Sequence, residues 1–264
     1  MDIINFENIH VGYDTNLVLK DINLKIKDKE HWAILGANGS GKSTLMKLIQ
    51  SDIHPRRKYK FKKEILGESI YSIFDLKKKL GIITNDLHNF FYTTGSYLNA
   101  YEVVLSGYYS SVGIFKYQEF SDEQKLKALK TLKYLGIEHL CEKKVKEMST
   151  GELRKCIVAR ALINEPKAFV LDEPTVGLDI KAQLNFIQML RKLSEKSSII
   201  LVTHHLEEIF DKITHVALIH NKTIFKSGLK KDILTSENLS TTFNIDLHIN
   251  EKNGRYFVDS INNQ

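Results

Sequence analysis

Proline and cysteine are scarce in this chain, with 3 and 2 copies among 264 residues. So little proline, together with only 14 glycines, excludes a collagen-like or proline-rich fibrous chain. Cys141 and Cys156 sit in helical-looking sequence without metal-type spacing. A disulfide-stapled scaffold and a thiolate zinc site are thereby excluded, and a reducing compartment fits. Long apolar runs are missing as well. A run such as Ser198–Val202 stops far short of the roughly 20 residues that a membrane-spanning helix needs. Met1–Asn5 has no basic stretch leading into an apolar core, so no secretory signal is read and a cytoplasmic location is expected. What the chain has is 42% hydrophobic and 27% charged residues, enough apolar surface for a packed core. Its net charge of +6, from 38 Lys+Arg against 32 Asp+Glu, is compatible with anionic partners without choosing among them.

The opening alternates apolar and polar residues over Ile3–Ile9 and Ile22–Ile26, the two-residue period of half-buried antiparallel strands. His31–Leu35, Phe169–Leu171 and Ile199–Val202 are short, nearly continuous apolar runs, each followed by polar residues and a helical pattern. Strands apolar on both faces that alternate with helices predict an α/β fold with a mainly parallel sheet. Chemistry in such sheets gathers beyond the carboxyl ends of the strands. From about Asp86 to Lys146 strand alternation is absent, Asp122–Leu135 reads as helix, and ten of the 25 aromatic residues crowd between Phe90 and Phe120. The organisation expected is one domain with its core at 1–85 and 147–230, a helical lobe inserted at 86–146, and an extension at 231–264. Within that extension Leu234–Ser240 reads as a capped short helix and Asn253–Val258 as a last strand.

Gly36-Ala37-Asn38-Gly39-Ser40-Gly41-Lys42-Ser43-Thr44 follows a buried strand and opens a helical run. It satisfies G-x-x-x-x-G-K-[ST] in the context of strand, loop and helix. The glycines let successive backbone N–H groups turn around a phosphate, and the helix start adds its dipole. Lys42 would supply charge to the β- and γ-phosphates, and the Ser43 hydroxyl would ligate Mg²⁺. Asp172 ends a second buried strand, where a carboxylate can hold the same metal, and Glu173 follows as a base for an attacking water. Met148-Ser149-Thr150-Gly151-Glu152 leads another helical run. By themselves these residues form a helix cap; beside a phosphate loop, Ser149, Gly151 and the helix start suit a second phosphate grip that serves another copy's nucleotide.

In that order, Tyr13, Gly36–Thr44, Ser149–Glu152, Leu171–Pro174, Gly177-Leu178-Asp179 and Thr203-His204 resemble the ATP-binding-cassette (ABC) ATPases over roughly the first 230 residues. The resemblance implies a P-loop core with an N-terminal antiparallel β subdomain and an inserted helical lobe. It implies that Tyr13 stacks on adenine, that Ser149, Gly151 and Glu152 belong to the family's signature loop, that Asp179 lies in the loop crossing a dimer interface, and that His204 contacts the γ-phosphate. ATP and Mg²⁺ would be clamped between two copies arranged head to tail, and hydrolysis would let them part. The sequence departs from the family where a glutamine is usual. Asn85 stands there if the strand is aligned without a gap and His88 if the loop is longer; Asn85 is taken as the further metal-site residue. Thr150 and Glu152 replace the usual glycine and glutamine, and the variant form looks most similar to molybdate- and iron-siderophore-importer-type single cassettes.

Two classes of work fit such an ATPase. One is the nucleotide-binding subunit of a transporter, peripheral on the inner face of the membrane through a separate permease. Aromatics such as Phe90, Phe91, Tyr92, Tyr97, Tyr101, Tyr108 and Tyr109 lie where that partner would dock, although core packing is the commoner role of such residues. The other is a soluble ATPase acting on nucleic acid or ribosomes, suggested by Arg56-Arg57-Lys58-Tyr59-Lys60-Phe61-Lys62-Lys63. A plainer reading of that run is an edge strand with lysines facing water. One cassette and a modest lobe favour the transporter.

Overall fold

A computed structural model describes residues 1–14 and 16–261. The described chain forms two compact units, Met1–Ile73 with Ser194–Gln264, and Phe74–Leu193. This division falls at 73/74 and 193/194, whereas the core and lobe expected from sequence meet at 85/86 and 146/147. In chain order the first unit opens with β1 (Asp2–Tyr13), β2 (Asn16–Lys27), β3 (Trp32–Gly36), helix α1 (Lys42–Ile49) and β4 (Lys62–Ile65). The second unit carries α2 (Ile73–Lys79), β5 (Leu80–Ile83), α3 (Asn85–Thr93), α4 (Ala100–Leu105), α5 (Asp122–Tyr134), α6 (Thr150–Leu162), β6 (Ala168–Asp172) and α7 (Ile180–Ser194). The chain then returns to the first unit with β7 (Ser198–Thr203), β8 (His215–His220), β9 (Thr223–Leu229), α8 (Lys230–Ile233), α9 (Ser236–Phe243), β10 (Leu247–Lys252) and β11 (Arg255–Ile261).

In the first unit β1 pairs antiparallel with both β2 and β4, as the alternating opening predicts. Central β3 runs parallel to β7 and β8, while β9 returns antiparallel along β8. Every residue of β3 and β7 is buried, which is why their sequences are apolar without alternation. The basic run is only partly strand. Its strand begins at Lys62, and Arg56 accepts from Tyr59 N–H in a turn instead. The Tyr59 ring lies 3.9 Å from that of His10, stacked on it.

In the second unit β5 and β6 form a parallel pair, and no strand separates β5 from β6 along the chain, only helices and turns. Helix α5 starts at a capping box, Ser121 with Gln124, the sequence signal that ends the preceding loop. The aromatics of this region are mostly not core. Phe91 is fully buried, whereas Phe90, Tyr92 and Tyr97 are exposed. A short helix at Ser236–Phe243, capped by Thr235, and a hairpin of β10 with β11 make up the extension; residues 262–264 of the expected extension lie outside the described residues.

Candidate nucleotide site

The candidate residues divide between the two units. In the first, β3 ends at Gly36 and α1 begins at Lys42, so residues 36–41 form a tight curl between a buried strand and a helix. Gly41 holds φ +112°, and a Cβ there would stand 2.6 Å from Leu19 Cδ2. A side chain there would be strained by the angle and would have to push Leu19 aside. Lys42 is buried, and its Nζ donates to the Gly36 carbonyl (2.8 Å) and the Ala37 carbonyl (3.1 Å). The ammonium is thus held inside the curl. Ser40 Oγ is buried without a hydrogen-bond partner, a polar atom still owed a contact. Asn38, Gly39 and Ser43 are exposed and Thr44 is buried. A cavity of about 420 Å³ borders the curl at Ala37–Ser40, with Lys20 and Lys222 on its other wall. Tyr13, at the end of β1, is 51% exposed, leaving its ring face available for stacking. His204 follows β7, its ring centroid 3.9 Å from that of His205.

The second unit contributes the acids and the capped helix. Asp172 is the last residue of β6 and Glu173 adopts φ +46°, a left-handed conformation uncommon for a side chain of its size. Ser149 caps α6. Its Oγ accepts from Glu152 N–H (3.3 Å), while Ser149 N–H donates to Glu152 Oε2 (2.7 Å). Lys143 Nζ adds a bond of 2.9 Å to the same carboxylate. Burial pushes the Glu152 carboxyl up, but the Ser149 backbone and Lys143 outweigh it and leave it below the usual range. The capping box foreseen for Ser149 is therefore real, and Ser149 and Thr150 at this helix start are exposed. Asp179 caps α7, its Oδ1 accepting from Ala182 N–H at 2.7 Å.

Asn85 is the first residue of α3, after the Thr84 cap. Its Oδ1, the side-chain atom by which it could ligate a metal, accepts a hydrogen bond from Arg154 Nη2 at 3.0 Å. His88, the other candidate, has its pKa lowered by burial and then by the Arg154 charge. Arg154 and Lys143 contact candidate site residues, and sequence reasoning missed both. In sequence Arg154 stands between Leu153 and Lys155 on α6, half of a basic pair that nothing singles out.

The donor set suits the ions expected. A serine hydroxyl and a carboxylate are hard oxygen ligands, and Mg²⁺ takes one or two of these together with phosphate oxygens and water. The buried, unpartnered Ser40 Oγ and the glycine curl likewise fit a phosphate. Among the described residues no three or more His, Cys, Asp or Glu are grouped so that they could hold a metal ion by themselves. No helix among them is long and apolar enough to cross a membrane.

Comparison with known proteins agrees. Residues 19–176 match the family described as ABC transporter. The uncharacterised ABC transporter ATP-binding protein YlmA of Bacillus subtilis is 32% identical over 97% of this chain and 96% of its own length. Among solved structures, a chain of an ABC transporter described as of the metal-chelate type, in an inward-facing conformation, superposes with a TM-score of 0.79 at 25% identity, covering 98% of this chain and 96% of that one. CbiO1 of Clostridium perfringens, part of the ABC transporter complex CbiONQ, gives 0.74 at 27% identity over 90% and 92%. The chain belongs to the ABC transporter family, as one of its P-loop ATPase cassettes.

Proposed function

We propose that this ATPase is the nucleotide-binding subunit of a membrane transporter and works as a head-to-tail pair of identical chains around two MgATP. The observation that carries the reading is a second anion-ready feature, the exposed capped start of α6, in a chain that already owns a phosphate loop. In this reading Tyr13 stacks on adenine, the backbone N–H groups of 36–44 wrap the phosphates, and Lys42 leaves its two carbonyls for the β- and γ-phosphates. Ser43 and Asp172 hold Mg²⁺, which when bound neutralises charge on the phosphoryl oxygens. Glu173 takes the proton of the attacking water, and His204 contacts the γ-phosphate. Ser149, Gly151 and the start of α6 meet the nucleotide of the other copy, with Glu152 fixing the turn and Asp179 lying at the interface. Asn85 is assigned to Arg154 instead of to the metal. Binding that favours the closed pair over the open one shifts the population, and loss of the γ-phosphate reverses it.

That cycle would drive a separate permease, with this subunit peripheral on the inner membrane face. Structural relatives from a metal-chelate type transporter and from CbiONQ support such a partner, and the exposed Phe90, Tyr92 and Tyr97 offer it anchors. The nucleic-acid alternative loses support because the Tyr59 face is already stacked on His10. The test is Glu173→Gln protein saturated with MgATP. It should elute as a dimer and hydrolyse about 10²- to 10⁴-fold more slowly than wild type. A monomer under those conditions would overturn the reading.

A further inference from the structure

The side chain of Arg154 is buried on α6, with only 6% of its surface exposed. Placing a guanidinium there is unfavourable unless its donors are met. Nη1 donates to the Glu173 carbonyl at 3.1 Å, and Nη2 donates to Asn85 Oδ1 at 3.0 Å and to the Val176 carbonyl at 2.8 Å. One planar fork therefore ties together three elements of the same unit: the helix capped by Ser149, the first turn of α3, and both ends of the Glu173–Val176 turn. Glu173 itself sits at φ +46°. A side chain keeps such a conformation only where its surroundings over-determine it, and a charge-assisted bond to its own carbonyl is that kind of constraint.

We propose that Arg154 is a positioning residue that makes the start of α6 and the backbone of Glu173 move as one body. The inference rests on Glu173 being the general base and Ser149–Gly151 meeting the nucleotide of the other copy, as read above. A phosphate drawn onto Ser149 shifts α6, and the guanidinium carries that shift to Glu173. Each copy's hydrolysis thereby depends on the nucleotide its own signature helix has engaged. The short Asn85 side chain takes part because the long arginine reaches it.

The test uses the full-length protein and four variants: Arg154→Gln, Arg154→Lys, Asn85→Ala, and Arg154→Gln with Asn85→Ala. For each, steady-state MgATP hydrolysis, the dissociation constant of a fluorescent ATP analogue and the melting temperature are measured. Arg154→Gln should lower kcat about 10- to 100-fold, as loss of alignment does, with KM and the analogue's dissociation constant within about threefold of wild type. Arg154→Lys should recover part of the rate, since it keeps the charge but not the fork. Asn85→Ala should lower kcat by less and add little in the double variant. Wild-type kcat in both Arg154→Gln and Asn85→Ala overturns the proposal. A rate that falls only in step with melting temperature and nucleotide affinity overturns it too. If Arg154→Gln does not fold, Asn85→Ala decides alone, because it removes one acceptor and leaves the guanidinium in place. Absence of hydrolysis by the wild-type protein would instead overturn the function proposed above.

Discussion

The phosphate loop and the Glu173 turn stand at corresponding places, each just after a buried strand, yet they are held by different means. At residues 36–42 the backbone does the shaping, and the single long side chain involved, Lys42, turns back onto its own loop's carbonyls. At residues 173–176 a side chain from another element, Arg154, does the holding. A loop shaped by its own glycines is specified locally; a loop held from outside depends on a contact about twenty residues distant in sequence. The first should fail through substitutions within it, the second through substitutions elsewhere.

The largest effect on nucleotide affinity belongs to Lys42→Ala. Charge-assisted bonds to phosphate are worth about 1.5–3 kcal/mol, so ATP affinity should fall by about 10- to 100-fold, read by titration with a fluorescent analogue. Gly41→Ala comes next and tests the backbone half of the comparison. It introduces a Cβ 2.6 Å from Leu19 at φ +112°, and the strain of such a conformation is about 1–3 kcal/mol. A lower melting temperature and weakened nucleotide binding should appear together. Unchanged melting would mean that the curl is less constrained than its angles indicate.

That contrast also explains what could be read from the residues alone. The antiparallel opening, the buried strands β3, β6 and β7, and the helical character of 86–146 were legible because periodicity and burial are local properties of sequence. The phosphate loop was legible for the same reason, since its glycines answer to backbone angles. Arg154 was not. Nothing near it in sequence announces that its partners are Asn85, Glu173 and Val176, and the metal role given to Asn85 followed from alignment without that contact. The aromatics misled in the opposite sense. Phe90, Tyr92 and Tyr97 look like core by composition, yet only Phe91 of that cluster is buried: α3 buries one stripe of its surface, and Tyr97 lies in a turn beyond it. In the basic run Lys62 and Lys63 share a short edge strand, but only the pairing of β4 with β1 reveals where it begins.

A middle-sized effect lies at the cap of α6. Glu152→Ala removes the carboxylate that Ser149 N–H and Lys143 both use. Loss of a cap interaction costs about 0.5–2 kcal/mol, visible as a lower urea midpoint. Lys143→Met should cost less, since its pair is partly exposed. If the two variants destabilise equally, the lysine contributes more to the cap than its exposure implies.

Acid should loosen both units, for one reason in each. His31, in the first, accepts from Ile199 N–H through Nδ1 at 3.1 Å, and burial followed by the Lys212 charge lowers its pKa. His88, in the second, is lowered by burial and then by Arg154. A histidine whose folded pKa lies below its unfolded value of 6.5 leaves the folded state with fewer bound protons as pH falls. Stability from these groups is complete above pH 6.5 and is lost below it. The urea midpoint should drop between pH 7.5 and 5.5, and His31→Gln or His88→Gln should each flatten part of that drop. A wild-type midpoint indifferent to pH in this range would remove the histidines from the account.

The smallest effect tests whether the first unit also has a position held by side chains. Lys63 is half-buried, donates to Ser51 Oγ at 2.8 Å, and Ser51 Oγ lies 2.7 Å from Tyr71 Oη. Burial lowers its pKa to about 8, with the Asp52 charge acting the other way. Since the unfolded value is 10.5, the folded chain binds fewer protons than the unfolded one between pH 8 and 10.5. Stability should therefore rise with pH across that window. Burial raises the Tyr71 pKa above its ordinary 10.0, so that residue acts in the opposite sense near and above pH 10. Urea midpoints taken from pH 8 to about 9.5 separate the two. Lys63→Met keeps the apolar stem and abolishes the titration, so its midpoint should no longer climb. If wild type and variant climb alike, Lys63 keeps its ordinary pKa, and side-chain bracing of this kind belongs to the second unit.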